Sequence, residues 1–178
     1  MDNFDINGDG LADRLYTNPD TETKDLHAFL NTGSGFSPQD TPITNIPKHI
    51  MSPAAYSRSL QNGGSDTTGD FIDLNGDGLV DRVVKNDYND YWEVYWNKGG
   101  VLESAPTQWP ITIPSGAQSM RVIRGQTPQG TYVDLMDVNG DGLPDRLFIN
   151  YSQETKDIHV FLNTGNGFST KDTPLLFF

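Results

Sequence analysis

The chain has 178 residues, with 24 acidic against 12 basic side chains, a formal net charge of −12 at pH 7 and no cysteine. Such an acidic surface argues against nucleic acid as a partner, because phosphate binding rests on clustered Lys and Arg. Without cysteine there is no disulfide framework, no thiolate metal site and no cysteine nucleophile. The length suits one domain with a sizeable core. No stretch approaches the ~18 apolar residues of a membrane span, so no membrane insertion is expected.

The first element along the chain is an acidic nine-residue loop, DINGDGLAD at 5–13, which returns as DLNGDGLVD at 73–81 and DVNGDGLPD at 137–145. Side-chain oxygens stand at loop positions 1, 3, 5 and 9, and a main-chain carbonyl is available at position 7. Calcium takes six to eight oxygen ligands, which such a loop can supply in large part. About three calcium ions per chain are therefore predicted, held by Asp5, Asn7, Asp9, Leu11 and Asp13; by Asp73, Asn75, Asp77, Leu79 and Asp81; and by Asp137, Asn139, Asp141, Leu143 and Asp145.

Two other interpretations of the loop compete with calcium binding. Asn-Gly and Asp-Gly pairs also mark tight turns that bind nothing, but three Asp within nine residues, with no basic residue, would repel one another without a counter-ion. An EF-hand would place a bidentate Glu at position 12 and a helix after it. Position 12 is instead Tyr16, Val84 and Phe148, inside short β-prone runs. The EF-hand interpretation therefore fails on both the ligand and the secondary structure.

The remaining elements repeat with the loop. Residues 1–46 align without a gap onto 133–178 with 27 identities, and a more divergent copy lies between them. In the third repeat strands are predicted at 132–136, 146–150, 158–163 and near 174–178, with the metal loop between the first two. The repeats are placed at about 1–46, 65–114 and 130–178, and 47–69 and 115–131 are predicted to be connections. Four antiparallel strands recurring in this way indicate an all-β fold, a β-propeller with three four-stranded blades in this chain.

These motifs resemble a known repeat family. DxNGDGLxDR followed by FLNTGxGF is similar to the FG-GAP or VCBS repeats of integrin-type propellers. Three segments of the sequence most resemble propeller segments of bacterial toxin-complex, Salmonella virulence-plasmid and Rhs-type proteins. These segments are TYVDLMDVNGDGLPDRL, YWEVYWNKGG and FLNTGNGF. The resemblance implies that the loop joins the first two strands of a blade and that its calcium is structural. It also implies six or seven blades in a complete ring, where this chain has three.

The missing blades predict a partner. We expect either self-association, with a homodimer completing a six-bladed ring, or the rest of a larger propeller. The apolar run Leu175–Phe178 favours self-association, since it would be a liability if left uncovered. A protein or glycan ligand is compatible with either arrangement. The expected location is extracellular or on a bacterial cell surface, although the chain carries no signal peptide.

No catalytic site is expected. His27 and His159 occupy the same place in their repeats, as a solvated or cross-strand pair would, and His49 has no counterpart. Arg14, Arg82 and Arg146 follow the last Asp of each loop, where they could form an anion-binding ring but more simply pair with carboxylates or cover the strand. A hydrolase using Asp pairs is the enzymatic alternative, but the metal loops already account for the clustered Asp.

The aromatic residues of the middle repeat suggest an alternative function, the binding of a ligand. The middle repeat holds all three tryptophans and several tyrosines: Trp92, Trp96, Trp109, Tyr88, Tyr91 and Tyr95. Their faces could stack on sugar rings, as in a propeller lectin, or could pack between neighbouring blades, which the alternation along 91–96 favours. The function expected from the sequence is therefore a non-catalytic, calcium-binding propeller module with a structural or interaction role. The alternative is a carbohydrate-binding propeller lectin.

Overall fold

The structure is a computed structural model that describes residues 2–17, 26–43, 57–59, 65–85, 89–113, 122–127, 130–149 and 158–174. These residues form strands and turns and no helix. The strands are β1 (Asp2–Phe4), β2 (Asp13–Thr17), β3 (Leu26–Phe29), β4 (Thr41–Pro42), β5 (Ser57–Ser59), β6 (Ser65–Thr67), β7 (Gly69–Ile72), β8 (Asp81–Lys85), β9 (Tyr91–Tyr95), β10 (Thr107–Pro110), β11 (Arg124–Thr127), β12 (Gly130–Met136), β13 (Asp145–Ile149), β14 (Ile158–Phe161) and β15 (Thr173–Pro174).

The strands form three antiparallel sheets, which confirms the predicted all-β class. The first sheet has the order β1-β2-β3-β4 and the second β10-β9-β8-β7. Both follow the chain as simple meanders, as expected for strands joined by short turns. The third sheet has the order β15-β14-β13-β12-β11-β6-β5. The strands predicted for the third repeat correspond to β12 to β15 within a few residues. Residues 175–178 of the predicted last strand lie outside the described residues.

The prediction of plain connections at 47–69 and 115–131 is wrong. Strands β5, β6 and β11 lie in those segments, and they extend the third sheet to seven strands where four were predicted. The apolar pair Val122 and Ile123 is 1% and 0% exposed and leads into β11, and the Ile123 N–H donates to the Thr67 carbonyl at 2.9 Å. Burial of this pair joins segments that are far apart in the sequence. The short, polar strands themselves carry little apolar periodicity.

The chain divides into two compact units. The first comprises 1–56, 69–84 and 94–107. Its core contains Ile6, Leu15 and Ala28 from the first repeat and Phe71, Tyr95 and Leu102 from the second, with Ile43 beside them. Leu15 and Ala28 are direct cross-strand partners, so alternation along β2 and β3 places both side chains on one face of the first sheet. That face packs against residues of the second repeat within this unit.

The second unit comprises 57–68, 85–93 and 108–178. Its core is built on the third sheet, with Val133, Phe148, Val160 and Phe161 between 0% and 3% exposed. The ring of Phe168 meets Trp92 edge to face, with ring centroids 5.3 Å apart. Aromatic pairs of this geometry contribute about 0.5–1.5 kcal/mol beyond the area they bury.

Candidate functional site

Each acidic loop connects the first two strands of its repeat, between β1 and β2, between β7 and β8, and between β12 and β13. The glycines at loop positions 4 and 6 have positive φ angles in all three copies, for example 76° at Gly76 and 86° at Gly78. Other residues adopt this left-handed conformation only with strain, which explains the fixed glycine spacing. The three loops therefore share one backbone path.

The Asp at position 1 organises the turn. In the second loop Asp73 Oδ1 accepts the Gly76 N–H at 2.8 Å, and Oδ2 accepts the Gly78 N–H at 2.9 Å. Asp5 and Asp137 hold the equivalent glycines at 2.7–3.0 Å. One carboxylate thus accepts the N–H groups of both loop glycines. Oδ1 of Asp73 also accepts the Asp77 N–H at 3.2 Å, whereas Oδ2 accepts one N–H and keeps its second lone pair for a cation.

Positions 3 and 5 continue the turn in the same way. Asn75 Oδ1 accepts the Asp77 N–H at 3.0 Å, and Asp77 Oδ1 accepts the Leu79 N–H at 2.9 Å. The side chains of Asn75 and Asp77 also meet, since Nδ2 donates to Oδ2 at 3.1 Å. The other two loops repeat all three bonds. The side-chain oxygens at loop positions 1, 3 and 5 therefore lie on one tightly wound turn.

The Asp at position 9 is placed differently from the others. Asp13, Asp81 and Asp145 are all 0% exposed. Asp81 Oδ1 accepts the Asn97 N–H at 2.9 Å, and Oδ2 accepts the Leu74 N–H at 3.3 Å. Burial raises the pKa of Asp81 to about 7, the nearby Asp77 and Asp73 charges add to the rise, and the two N–H bonds oppose it. This carboxylate anchors the base of the loop to the end of the third strand of its repeat.

Sequence reasoning missed a second anchor, the Asn that follows the third strand of each repeat. Asn97 is 1% exposed, and its Nδ2 donates to the Ile6 carbonyl at 2.8 Å and to the Val80 carbonyl at 3.1 Å. Its Oδ1 accepts the Gly100 N–H at 2.8 Å. Asn31 and Asn163 make the corresponding bonds to loop position 8 and to the following glycine. The signal was present, since FLNTG and YWNKG share this Asn.

The donor chemistry of the loops fits calcium. Each offers carboxylate and carboxamide oxygens with no basic side chain, the ligand type that a hard cation prefers. Within the described ranges, no three or more His, Cys, Asp and Glu side chains are arranged as a ready metal cluster. The loop carboxylates are held by backbone amides instead. Calcium binding thus stays a prediction.

The three arginines that follow the loops lie against aromatic rings. The guanidinium carbon is 4.4 Å from the ring centroid of Phe36 for Arg14, 5.2 Å from Phe71 for Arg82 and 5.9 Å from Trp92 for Arg146. Arg82 and Arg146 are 2% and 0% exposed, and burial lowers the pKa of each to about 10. Arg146 Nη1 also donates to the Thr112 carbonyl at 3.1 Å. Arg82 and Arg146 are buried in the core and cannot present their guanidinium groups to an anion in solution. The alternative in which all three arginines form an anion-binding ring is therefore wrong.

The repeated histidines form cross-strand contacts. Nδ1 of His27 lies 2.5 Å from an Asp40 oxygen, and Nδ1 of His159 lies 2.5 Å from an Asp172 oxygen. Each ring stacks on the aromatic residue opposite, Tyr16 at 5.3 Å or Phe148 at 4.5 Å between centroids. Both pairs tie the third strand of a repeat to the residue before the fourth. His49 lies outside the described residues.

The tryptophans divide between core and surface. Trp92 and Trp109 are 0% and 2% exposed, as expected for packing residues. Trp96 is half-buried, and its Nε1 donates to Thr107 Oγ1 at 2.9 Å. Tyr95 is 2% exposed and Tyr91 is half-buried, while Tyr88 lies outside the described residues. The two most buried tryptophans have no face available for a sugar ring.

Comparison with known proteins gives a likeness of fold. No family model and no curated protein matches the chain. A chain in the solved structure of the Photorhabdus luminescens Tc holotoxin pore matches with a TM-score of 0.61 and 21% sequence identity. The match covers 98% of this chain and 7% of that chain. Among the described residues, no helix is long and apolar enough to cross a membrane.

Proposed function

We propose that this chain is a calcium-stabilised segment of a β-propeller with a structural and interaction role, non-catalytic, in an exported bacterial protein of the toxin-complex type. The observation that carries the proposal is the identical winding of three loops around the carboxylates of Asp5, Asp73 and Asp137. The proposal is also supported by the similarity in fold between this chain and a segment of the Tc holotoxin pore.

In this proposal calcium neutralises each loop. The ligands would be the oxygens at positions 1, 3, 5 and 9 together with the position-7 carbonyls of Leu11, Leu79 and Leu143. Mutual repulsion makes it unfavourable for three carboxylates so close together to be ionised without a cation. Metal binding and loop order are therefore coupled. The metal would fix the hairpin between the first two strands of each blade. It has no part in a reaction.

The test is thermal unfolding of wild type and Asp77→Ala in millimolar calcium and in chelator. Asp77→Ala removes a ligand at an exposed loop position without opening the core. We expect it to lower the melting temperature clearly more in calcium than in chelator, where only the exposed bonds to Leu79 and Asn75 are lost. Glu103→Ala is the control, because it removes one acidic group of the same repeat outside the loop, at a half-buried residue that pairs with Lys98 at 3.7 Å. Equal destabilisation by Asp77→Ala in both conditions would refute the ligand assignment.

A protein partner is preferred here to a glycan. The lectin alternative depends on accessible aromatic faces, and burial removes Trp92 and Trp109 from that set. Protein partners, in contrast, need a sheet face or loop surface that another chain can cover. A loss of calcium-dependent stability without any effect on partner binding would separate the structural role from the interaction role.

A further inference from the structure

Equivalent positions of the three repeats differ sharply in burial. The Arg after the loop is 2% exposed in the second repeat and 0% in the third, whereas Arg14 is only half-buried. The aromatic residue at the end of the third strand is 2% exposed as Tyr95 and 3% as Phe161, whereas Phe29 is half-buried. Because the residue types are nearly the same, the difference lies in what covers them.

The residue after the next turn shows the same contrast. Phe36, Leu102 and Phe168 all form the same isolated bridge to the Asn anchor of their repeats. Leu102 is 1% exposed and Phe168 is 5% exposed, but Phe36 is 40% exposed. Arg14, Phe29 and Phe36, together with half-buried Tyr16, lie on one side of the first repeat and are called here the aromatic face.

The structure identifies what covers the equivalents of the aromatic face. Tyr95 and Leu102 pack into one cluster with Ile6, Leu15 and Ala28, which belong to the opposite face of the preceding repeat. Phe168 meets Trp92 and Trp109 edge to face at 5.3 and 6.4 Å, and its N–H donates to the Pro110 carbonyl at 3.1 Å. In both cases the cover is a sheet face of the preceding repeat.

The third repeat shows the complementary exposure on its other side. Met136 is 59% exposed, whereas the equivalent Ile72 is 7% exposed and Phe4 packs against the first core. Leu147 is half-buried, whereas its equivalents Leu15 and Val83 are 1% and 0% exposed. Val138 is half-buried where Ile6 and Leu74 are 1% and 0% exposed. Met136, Val138 and Leu147 are called here the aliphatic face.

We propose that the aromatic face of one copy of this chain docks on the aliphatic face of a second copy. Phe36 and Met136 are exposed where their equivalents are covered, although Val160, the cross-strand partner of Leu147, is 0% exposed. A second copy supplies the missing cover with the residue types found in the contacts within one chain. The contact is head-to-tail, so it generates a closed ring or an open filament according to its rotation. This inference rests on the proposed interaction role, and it identifies the partner in that role as a second copy of the chain.

The test combines two charged variants with a matched control. Phe36→Asp places a carboxylate in the aromatic face, and Met136→Asp places one in the aliphatic face. Val101→Asp makes the same type of change at a residue that is 46% exposed and belongs to neither face. Molar mass is measured by sedimentation over a concentration series in millimolar calcium, with circular dichroism to verify the fold of each variant.

We expect wild type and Val101→Asp to reach at least twice the monomer mass of 19.7 kDa, and each face variant alone to remain a monomer. An equimolar mixture of Phe36→Asp and Met136→Asp should recover a dimer, because one intact face remains on each partner. This recovery is specific to head-to-tail contact. A monomeric wild type, or association that survives both single variants, would overturn the proposal. Loss in only one face variant would indicate contact between identical faces and would also overturn it.

Calcium binding is measured separately on the same samples by titration calorimetry. Neither Phe36 nor Met136 is a predicted ligand, so both variants should bind as much calcium as wild type. If the chain binds no calcium but associates through these faces, the calcium role fails and the docking inference stands. If calcium binds as proposed and the chain stays monomeric, the docking inference fails alone.

Discussion

Asn97→Ala tests whether the Asn anchor, rather than the loop alone, holds the first two repeats together. The side chain is 1% exposed and bonds to the Ile6 and Val80 carbonyls and to the Gly100 N–H. A net value of about 0.5–1.5 kcal/mol per hydrogen bond, with buried partners left unsatisfied, gives a loss of about 2–4 kcal/mol. The Ile6 bond matters most, because it joins residues 91 positions apart.

Asn31→Ala is the matched control. Asn31 is half-buried, and among the described residues its side chain bonds to the Ala12 carbonyl at 3.1 Å and to the Gly33 N–H at 3.0 Å. Water can replace these bonds at such a position. Its loss should cost about 1 kcal/mol. Both variants are unfolded with urea in excess calcium. Their free energies of unfolding are compared with the same dependence on urea concentration, the m-value, used for both. A gap of about 2 kcal/mol is about 30-fold in the unfolding equilibrium. Equal costs for the two variants would refute the anchor as the link between the repeats.

Two further predictions concern the second compact unit. Burial, followed by the hydrogen bond to Asp66 and the charge of Asp66, raises the pKa of Tyr132 above its usual 10.0. The unfolded phenol therefore ionises first, so this stabilisation is complete below pH 10 and is lost as the pH rises further. Tyr132→Phe should flatten that part of an alkaline stability profile, and identical profiles for the wild type and the variant would contradict the reasoning. Gly125→Ala would put a Cβ within 2.6 Å of Tyr132 Cε1, and such overpacking should cost about 1–3 kcal/mol. A neutral result in urea unfolding would mean that the Tyr132 ring moves aside freely.

The features predicted well from the sequence are those repeated within it. The position-9 Asp of each loop was expected just before a strand, and Asp13, Asp81 and Asp145 are the first residues of β2, β8 and β13. Local chemistry sets this boundary, since the glycines of the loop fix its path and β-prone residues follow.

The features that were missed depend on contacts between distant residues. Strands β5, β6 and β11 read SRS, SDT and RGQT, which carry no apolar alternation, and β6 pairs with β11 more than fifty positions away along the chain. The burial of Arg146 depends on Trp92 and on the Thr112 carbonyl, neither of which a local pattern relates to it. The role of Asn97 likewise requires Ile6. A residue type repeated in all three repeats indicates that such a position matters. The distant residue that it contacts is seen only in the folded structure.

The most direct measurement is the number of calcium ions bound per folded chain, by native mass spectrometry. Wild type should bind three, and Asp9→Ala, Asp77→Ala and Asp141→Ala should each bind two, because each variant removes the position-5 ligand of one loop. The triple variant should bind none. A wild-type chain that binds no calcium, or a triple variant that binds as many ions as wild type, would contradict the assignment of the three loops.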